Sequence, residues 1–294
     1  MHNACTVGVE SWNPSAGTWK AHVLATSLNG SSAASNTSLY VCIGNSAIVG
    51  KQNVGPYAEA NVYDTNYKMV LHMADNAANN TVTDATANAA NGANSVNTSS
   101  RTATGQINGA MSYAGTSSDS TDFGIPAGLG LYSSAFAMEF WFNAASTGDS
   151  IIMGNGVYNG SGIGYVAFFS ATFQCVYNTA SSSGAAIIAL PPTGSWHHYA
   201  CVGGGGHVKV YLDGALALDQ LDSNATAFHN ADANHWYIGR WVAAASFYYS
   251  GLLDEVRLTL NTTRSSDWIA DEVANQALPG DIGSPNYLIW TVVK

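Results

Sequence analysis

Short apolar runs that alternate with period two, with no competing long run of helical period, constrain this chain more than any other feature. In residues 135–142, Phe136, Met138, Phe140 and Phe142 fall on one side of an extended chain and Glu139 and Trp141 on the other. Successive side chains of a strand point to opposite faces, so this pattern reads as a strand. Runs rich in Val, Ile, Tyr, Phe and Trp recur at 39–43, 164–169, 185–190, 196–202, 207–212 and 252–260, broken by Gly, Asn, Asp and Ser. The runs 208–212 and 215–218 are joined by Asp213-Gly214. That is a strong two-residue hairpin signal, because both turn positions need positive φ. Many short antiparallel strands predict an all-β fold, an antiparallel jelly-roll β-sandwich. One short helix is expected over about 266–275, capped by Ser265 or Ser266, with Asp267 in its first turn.

Composition narrows the partners. Half of the 294 residues are Ala, Ser, Gly, Asn or Thr, and only 10% are charged, against roughly 25% in ordinary soluble proteins. Nine Lys and Arg, scattered along a chain of formal net charge −10, build no track for nucleic-acid phosphates. They are also too few to dock on anionic lipid. No run of about 18 apolar residues predicts a membrane span. With 8 Trp, 15 Tyr and 9 Phe the chain has material for a core. Residues 76–104, almost free of large apolar side chains, read as a surface excursion. The first twelve residues lack the basic start and apolar stretch of a signal peptide, as in a chain whose signal was removed or a virion protein released by lysis. The spacing of Cys5, Cys42, Cys175 and Cys201 fits no zinc or redox motif. The default reading is four free, mostly buried thiols. A Cys5–Cys42 or Cys175–Cys201 disulfide stays open for a chain that lives outside the cell.

Several segments, in order, carry a resemblance. They are DATANAANGAN at 84–94, GQINGAMSYAGTSSDSTDFGIP at 105–126, FAMEFWFN at 136–143, WHHYACVGGGGHVKVYLDG at 196–214, HWYIGR at 235–240 and YYSGLLDEVRL at 248–258. Together they resemble the LamG-like jelly roll of the concanavalin A-like lectin and glucanase superfamily. Residues 11–28, 39–45 and 62–73 are similar to the end of a domain of unknown function commonly fused to that jelly roll. The expected layout is a partial β module over 1–70, the jelly roll over 71–278 and a tail over 279–294. The partial module is expected to be completed by a neighbouring subunit or by a strand over 287–293, since an incomplete sandwich leaves an open edge.

The resemblance also sets the sites to look for. Glucanases of the superfamily carry Glu-x-Asp-x-x-Glu on one strand, and retaining glycosidases need two carboxylates roughly 5 Å apart. That pattern is missing. Glu139 stands alone, and Asp254 and Glu255, being consecutive on a strand, are expected on opposite faces. No catalytic residue is assigned and the chain is expected to be non-enzymatic. His197 and His198 read as strand residues, one semi-buried and one exposed, with no Ser or Cys nucleophile marked near them. The 203–206 glycine run lacks the Lys-Ser/Thr of a phosphate loop and reads as a hairpin turn. Many members hold a structural calcium, which the resemblance places on Asp119, Asp122 and Asp254 with loop carbonyls. The plainer alternative is that these carboxylates cap turns. Sugar binding needs aromatic platforms, and the candidates are Tyr158, Trp236, Trp241, Phe247, Tyr248 and Tyr249. Trp236, Arg240, Trp241 and Tyr248 form the expected ligand set, although most such aromatics serve as core filler. These features predict a virion structural or surface protein, as a phage capsid decoration, tail or fibre component, with protein neighbours and glycans as partners. The alternative is a secreted bacterial carbohydrate-binding or adhesion module. The expected location is the virion surface or the extracellular space.

Overall fold

The computed structural model describes residues 6–13, 18–24, 59–117, 119–126, 132–157, 162–229 and 234–277, the first two stretches and residue 59 by backbone alone. The expected strands at 39–43 and 287–293, as well as Cys5, Cys42 and Tyr158, lie outside the described residues. The chain divides into two compact units, Thr65–Ala277 and a second made of Met1–Asp64 with Leu278–Lys294. In the second unit Thr6–Asn13 and Thr18–Leu24 pair antiparallel, with a register shift between Val9 and Ser11.

The larger unit is an all-β sandwich of two antiparallel sheets. The first sheet runs in the order Ala215–Leu221, His207–Leu212, His197–Gly204, Ala135–Ala144, Ser250–Leu260, Gly109–Ala114 and Thr102–Thr104, and Tyr67–Leu71 also pairs with Ser250–Leu260. The second runs Ser183–Ile188, Thr172–Asn178, Gly164–Phe169, Ser150–Gly154, Tyr237–Ile238, Thr121–Asp122, Gly92–Asn94 and Thr81–Val82. The alternation read in the sequence becomes the core. Phe136, Met138, Phe140 and Phe142 all face inward and are fully buried. Phe142 meets Phe173 of the other sheet at 5.3 Å, and Phe173 meets Tyr199 at 4.1 Å between ring centroids. Each such side chain contributes roughly 1.5–3 kcal/mol by leaving water. At the Asp213-Gly214 turn both residues have positive φ, 51° and 80°, as the hairpin signal required.

Cys175 of the second sheet and Cys201 of the first also point into this core and form a disulfide, their Cα atoms 6.3 Å apart. The expectation of free thiols is corrected at these two positions. Inward-facing cysteines on opposed strands fall within bridging distance.

The outer face of the first sheet is covered. Ser266–Ala277 is helical, and Ser265 Oγ accepts the Trp268 N–H at 3.1 Å. From the helix, Ile269 packs on Ala137, Ala200, Val202 and Tyr211. Trp141 Nε1 donates to Gln276 Oε1 at 2.6 Å.

Two expectations fail here for local reasons. The register of Ala135–Ala144 against Ser250–Leu260 shifts between Glu139 and Trp141, and Glu255 takes φ 49°. A bulge places two residues against one and breaks the alternation. Leu253 and Val256 therefore both enter the core, and Asp254 and Glu255 do not lie on opposite faces as a regular strand would place them. The supposed surface excursion at 76–104 is woven into the sandwich. Thr81–Val82 and Gly92–Asn94 extend the second sheet and Thr102–Thr104 the first. The buried Asp84 carboxylate organises this stretch, accepting the N–H groups of Val70, Thr86 and Ala90 at 2.8–3.0 Å.

Candidate functional site

Among the described residues, no helix lies over the outer face of the second sheet. Alternation decides which side chains appear there: Trp236 and Ile238 enter the core, so Tyr237 between them faces outward. Register places Tyr237 beside Asp122 on one side and Gly154 on the other, and Gly154 beside Tyr165. The chain after Ile238 then folds back over the sheet. Trp241 N–H donates to Ser246 carbonyl oxygen at 3.1 Å, and Ile151 N–H donates to Phe247 carbonyl oxygen at 2.8 Å. Phe247 adopts φ 55° at the return.

This loop encloses a cleft of about 340 Å³ lined by Ile151, Val157, Tyr165, Phe169, Trp241 and Phe247. Phe247 sits edge-on to both Trp241 and Phe169, with centroids 5.8 Å apart in each case. A smaller polar hollow of about 180 Å³ lies along Asn234, His235, Tyr237 and Val242. There His235 Nδ1 is 2.8 Å from Asp122 Oδ1, and the His235 ring stacks over Tyr237 at 6.0 Å. The Arg240 guanidinium lies 3.9 Å above the Tyr237 ring, a cation–π contact. Partial burial pushes the Tyr237 hydroxyl above the ordinary tyrosine range. Among the described residues, Arg240 Nε, Trp241 Nε1 and Tyr248 OH are buried atoms with no hydrogen-bond partner. Such atoms also occur under the helix, at Glu139 Oε2, His198 Nδ1 and Glu272 Oε2, and of Arg240, Trp241 and Tyr248 it is Trp241 that lines the cleft.

Of the expected ligand set, Arg240, Trp241 and Tyr248 belong to this loop. Trp236 does not present a face: it is 1% exposed and forms part of the core. Tyr249 is likewise fully buried. Phe247 lines the cleft, whereas Tyr165, Phe169, Ile151 and Val157 were not singled out as ligand residues from the sequence. Their own strands read simply as strands, and nothing local shows that a loop from 241–247 lies over them.

The expected calcium ligands do not come together. Asp119 is buried against Arg101 at 2.8 Å and also accepts the Ala114 N–H. Asp122 is bonded to His235 and to the Gly124 N–H. Asp254 Oδ2 accepts the Ile107 N–H at 2.7 Å. No group of three or more His, Cys, Asp or Glu side chains among the described residues could hold a metal ion. These carboxylates have the donor-bound environments of turn and strand anchors, which do not fit a hard cation wanting six to eight oxygens.

The carboxylates of the first sheet belong to a buried ionic network under the helix. Arg257 binds Glu255 at 2.7 Å and also Glu272 of the helix. His72 Nδ1 is 2.5 Å from Glu255, and Arg264 is 3.9 Å from Glu139. Burial pushes the Glu139 carboxyl above the ordinary range, opposed by Arg257 and Arg264.

Two face-packed antiparallel sheets with an open aromatic cleft on one outer face define a lectin-like jelly roll. The chain belongs to the concanavalin A-like lectin/glucanases superfamily, whose model matches residues 114–270, over half of the chain. The match does not reach the first 70 residues. Among solved structures, the binding domain of Paraclostridial Mosquitocidal Protein 1 is similar at 10% identity and TM-score 0.55, over 71% of this chain and 52% of that one. A single-site mutant of HCR/D is similar at 12% identity and TM-score 0.51, over 72% of this chain and 51% of that one. The chain thus spans about half the length of either, and at these identities the likeness is one of fold. No curated protein matches the sequence significantly.

Proposed function

We propose that this chain is a surface recognition protein that binds glycans on the outer face of its second sheet. The supporting observation is the cleft over Ile151, Tyr165 and Phe169, which Trp241 also lines and where, among the described residues, the buried Trp241 Nε1 has no hydrogen-bond partner. Sugars offer this combination: apolar ring faces that stack on aromatics and hydroxyl oxygens that accept hydrogen bonds. The setting is a virion surface, as a capsid decoration, tail or fibre component, with a secreted bacterial adhesion module as the alternative. Low charge and a surface of small polar residues suit protein neighbours in either assembly. The Cys175–Cys201 disulfide suits an oxidising, extracellular environment.

The test is a glycan array with the full chain, followed by titration of the best binder. Trp241→Ala should weaken binding by at least tenfold, as loss of a central aromatic anchor does, roughly 2 kcal/mol or more. Unchanged affinity in Trp241→Ala, or an array with no binder, would overturn the reading. Particles or ordered oligomers seen by electron microscopy would favour the virion setting. A glycan-binding monomer would favour the secreted module.

A further inference from the structure

We propose that Ser195, His197 and Asp213 form a nucleophilic site that takes acyl groups from small esters onto Ser195 and passes them to water. Reading the sequence marks no nucleophile near the two histidines, yet the fold supplies one. Ser195 lies in the bend just before the strand His197–Gly204, and the bend turns its hydroxyl toward the His197 ring. The neighbouring hairpin turn brings Asp213 to the same place. Ser195 Oγ lies 3.0 Å from His197 Nε2, and His197 Nδ1 lies 2.8 Å from Asp213 Oδ2.

The polarity of this chain of bonds follows from the groups themselves. A carboxylate only accepts, so a neutral His197 carries its proton on Nδ1 and donates it to Asp213. Nε2 is then the acceptor, and Ser195 Oγ–H must be the donor. That is the arrangement in which an imidazole takes the proton of an attacking hydroxyl. Asp213 is itself held, because its Oδ1 accepts the His198 N–H at 2.9 Å. The buried Phe142 ring, 5.8 Å from the imidazole, supports it from the inner side. His198 takes no part: it is 1% exposed and lies edge-on to Trp141, so neither histidine is the exposed strand residue expected. Access to the nucleophile is open. Ser195 is exposed, and Gly194, with φ +79°, has no atom within 4 Å of the Cβ position.

In the first step Ser195 Oγ bonds to the ester carbonyl carbon and the alkoxide leaves. The Oγ proton passes to His197 Nε2 and then to the leaving oxygen. In the second step water adds to the acyl carbon, the Oγ–carbon bond breaks, and the proton returns to Oγ by way of Nε2. Ser195 and His197 are the catalytic residues and Asp213 is a positioning residue. The site shares no residue with the aromatic cleft, so its failure leaves the glycan reading untouched.

The experiment treats the full chain with a fluorophosphonate probe and with p-nitrophenyl acetate, and maps the labelled peptide by mass spectrometry. The phosphonate forms an Oγ–phosphorus bond as fluoride leaves with the proton. The expected result is one label per chain on Ser195, absent in Ser195→Ala. Labelling and ester turnover should be about a hundredfold slower in His197→Gln. Asp213→Asn, a residue that tolerates the positive φ of this turn, should label more slowly and with a displaced pH midpoint. Thermal unfolding confirms that each variant is folded. Absence of labelling in the native chain, labelling that persists in Ser195→Ala, or a native rate in His197→Gln would overturn the proposal.

Discussion

The two outer faces of the sandwich are built from the same strand alternation and end differently. On the first sheet, the outward residues of Ala135–Ala144 and Ser250–Leu260 include Glu139, Trp141 and Arg257. A helix closes over them and supplies Glu272, Gln276 and Ile269 as partners. On the second sheet, the outward residues are Tyr237, Tyr165 and Ile151. Among the described residues only a loop leans over them, and it leaves a cleft lined by Trp241 and Phe247. A charged group in a closed site must be paired by the protein, because its desolvation is otherwise uncompensated. A polar group at the lip of an open cleft can wait for a ligand. Arg257 and Arg240 embody the contrast: one is buried between two carboxylates, the other lies over a tyrosine ring beside solvent.

Exchanging those two arginines is the strongest way to break the comparison. Arg257→Leu leaves Glu255 and Glu272 buried without their cation and should cost about 3–5 kcal/mol in denaturant unfolding. Arg240→Leu should change stability by no more than about 0.5 kcal/mol and weaken glycan binding instead. Equal stability losses would erase the distinction between a closed and an open face. Next in size is the Cys175–Cys201 bridge, which pins the sheets that carry both faces. Replacing both cysteines by Ala should cost about 2–4 kcal/mol, read by the same denaturation.

The closed face should also report itself through pH. Burial, reinforced by the Arg257 charge, holds the His198 imidazole down to about 3 from 6.5. The folded state thus keeps it neutral where the unfolded chain protonates it. Between about pH 6.5 and 3 the unfolded state binds more protons, so this group's contribution is lost as pH falls, by up to about 1.4 kcal/mol per pH unit. Glu139 acts with the opposite sign. Its raised folded pKa means the folded state binds the extra proton, which adds stability as pH falls. The slope difference between the native chain and His198→Gln isolates the histidine. An identical slope in the two would show that His198 is not held neutral by a closed face.

The sequence carries the closed half of this picture better than the open half. The strands Gly164–Phe169 and His207–Leu212, the Asp213-Gly214 turn and the helix starting at Ser266 follow the signals read from it. Each depends on neighbours within a few residues: alternation, a positive-φ pair or a capping hydroxyl. Residues 76–104 escape because their short strands are held by side-chain bonds such as those of Asp84 rather than by apolar area. Trp236 escapes because aromatic character alone does not say which way a ring turns just before the two-residue strand Tyr237–Ile238. The cleft escapes because it joins Trp241 and Phe247 to Tyr165 and Phe169, over seventy residues earlier. Ser195 and His197 are close in the sequence, but the bond to Asp213 that orients them exists only through the hairpin register.

The smallest expected effect separates the faces most cleanly. Ser265 Oγ caps the helix by accepting the Trp268 N–H, and losing such a cap costs about 1 kcal/mol. Ser265→Ala therefore loosens the cover of the first sheet without touching a core residue or the cleft. Its unfolding midpoint should fall accordingly, and hydrogen exchange should quicken in Ser266–Ala277. Glycan affinity should stay at its native value, because the cleft is built on the opposite sheet from strands and a loop that the helix does not cover. A parallel loss of affinity would mean that the cover and the cleft form one cooperative unit, and the two faces could then not be read as independent answers to the same pattern.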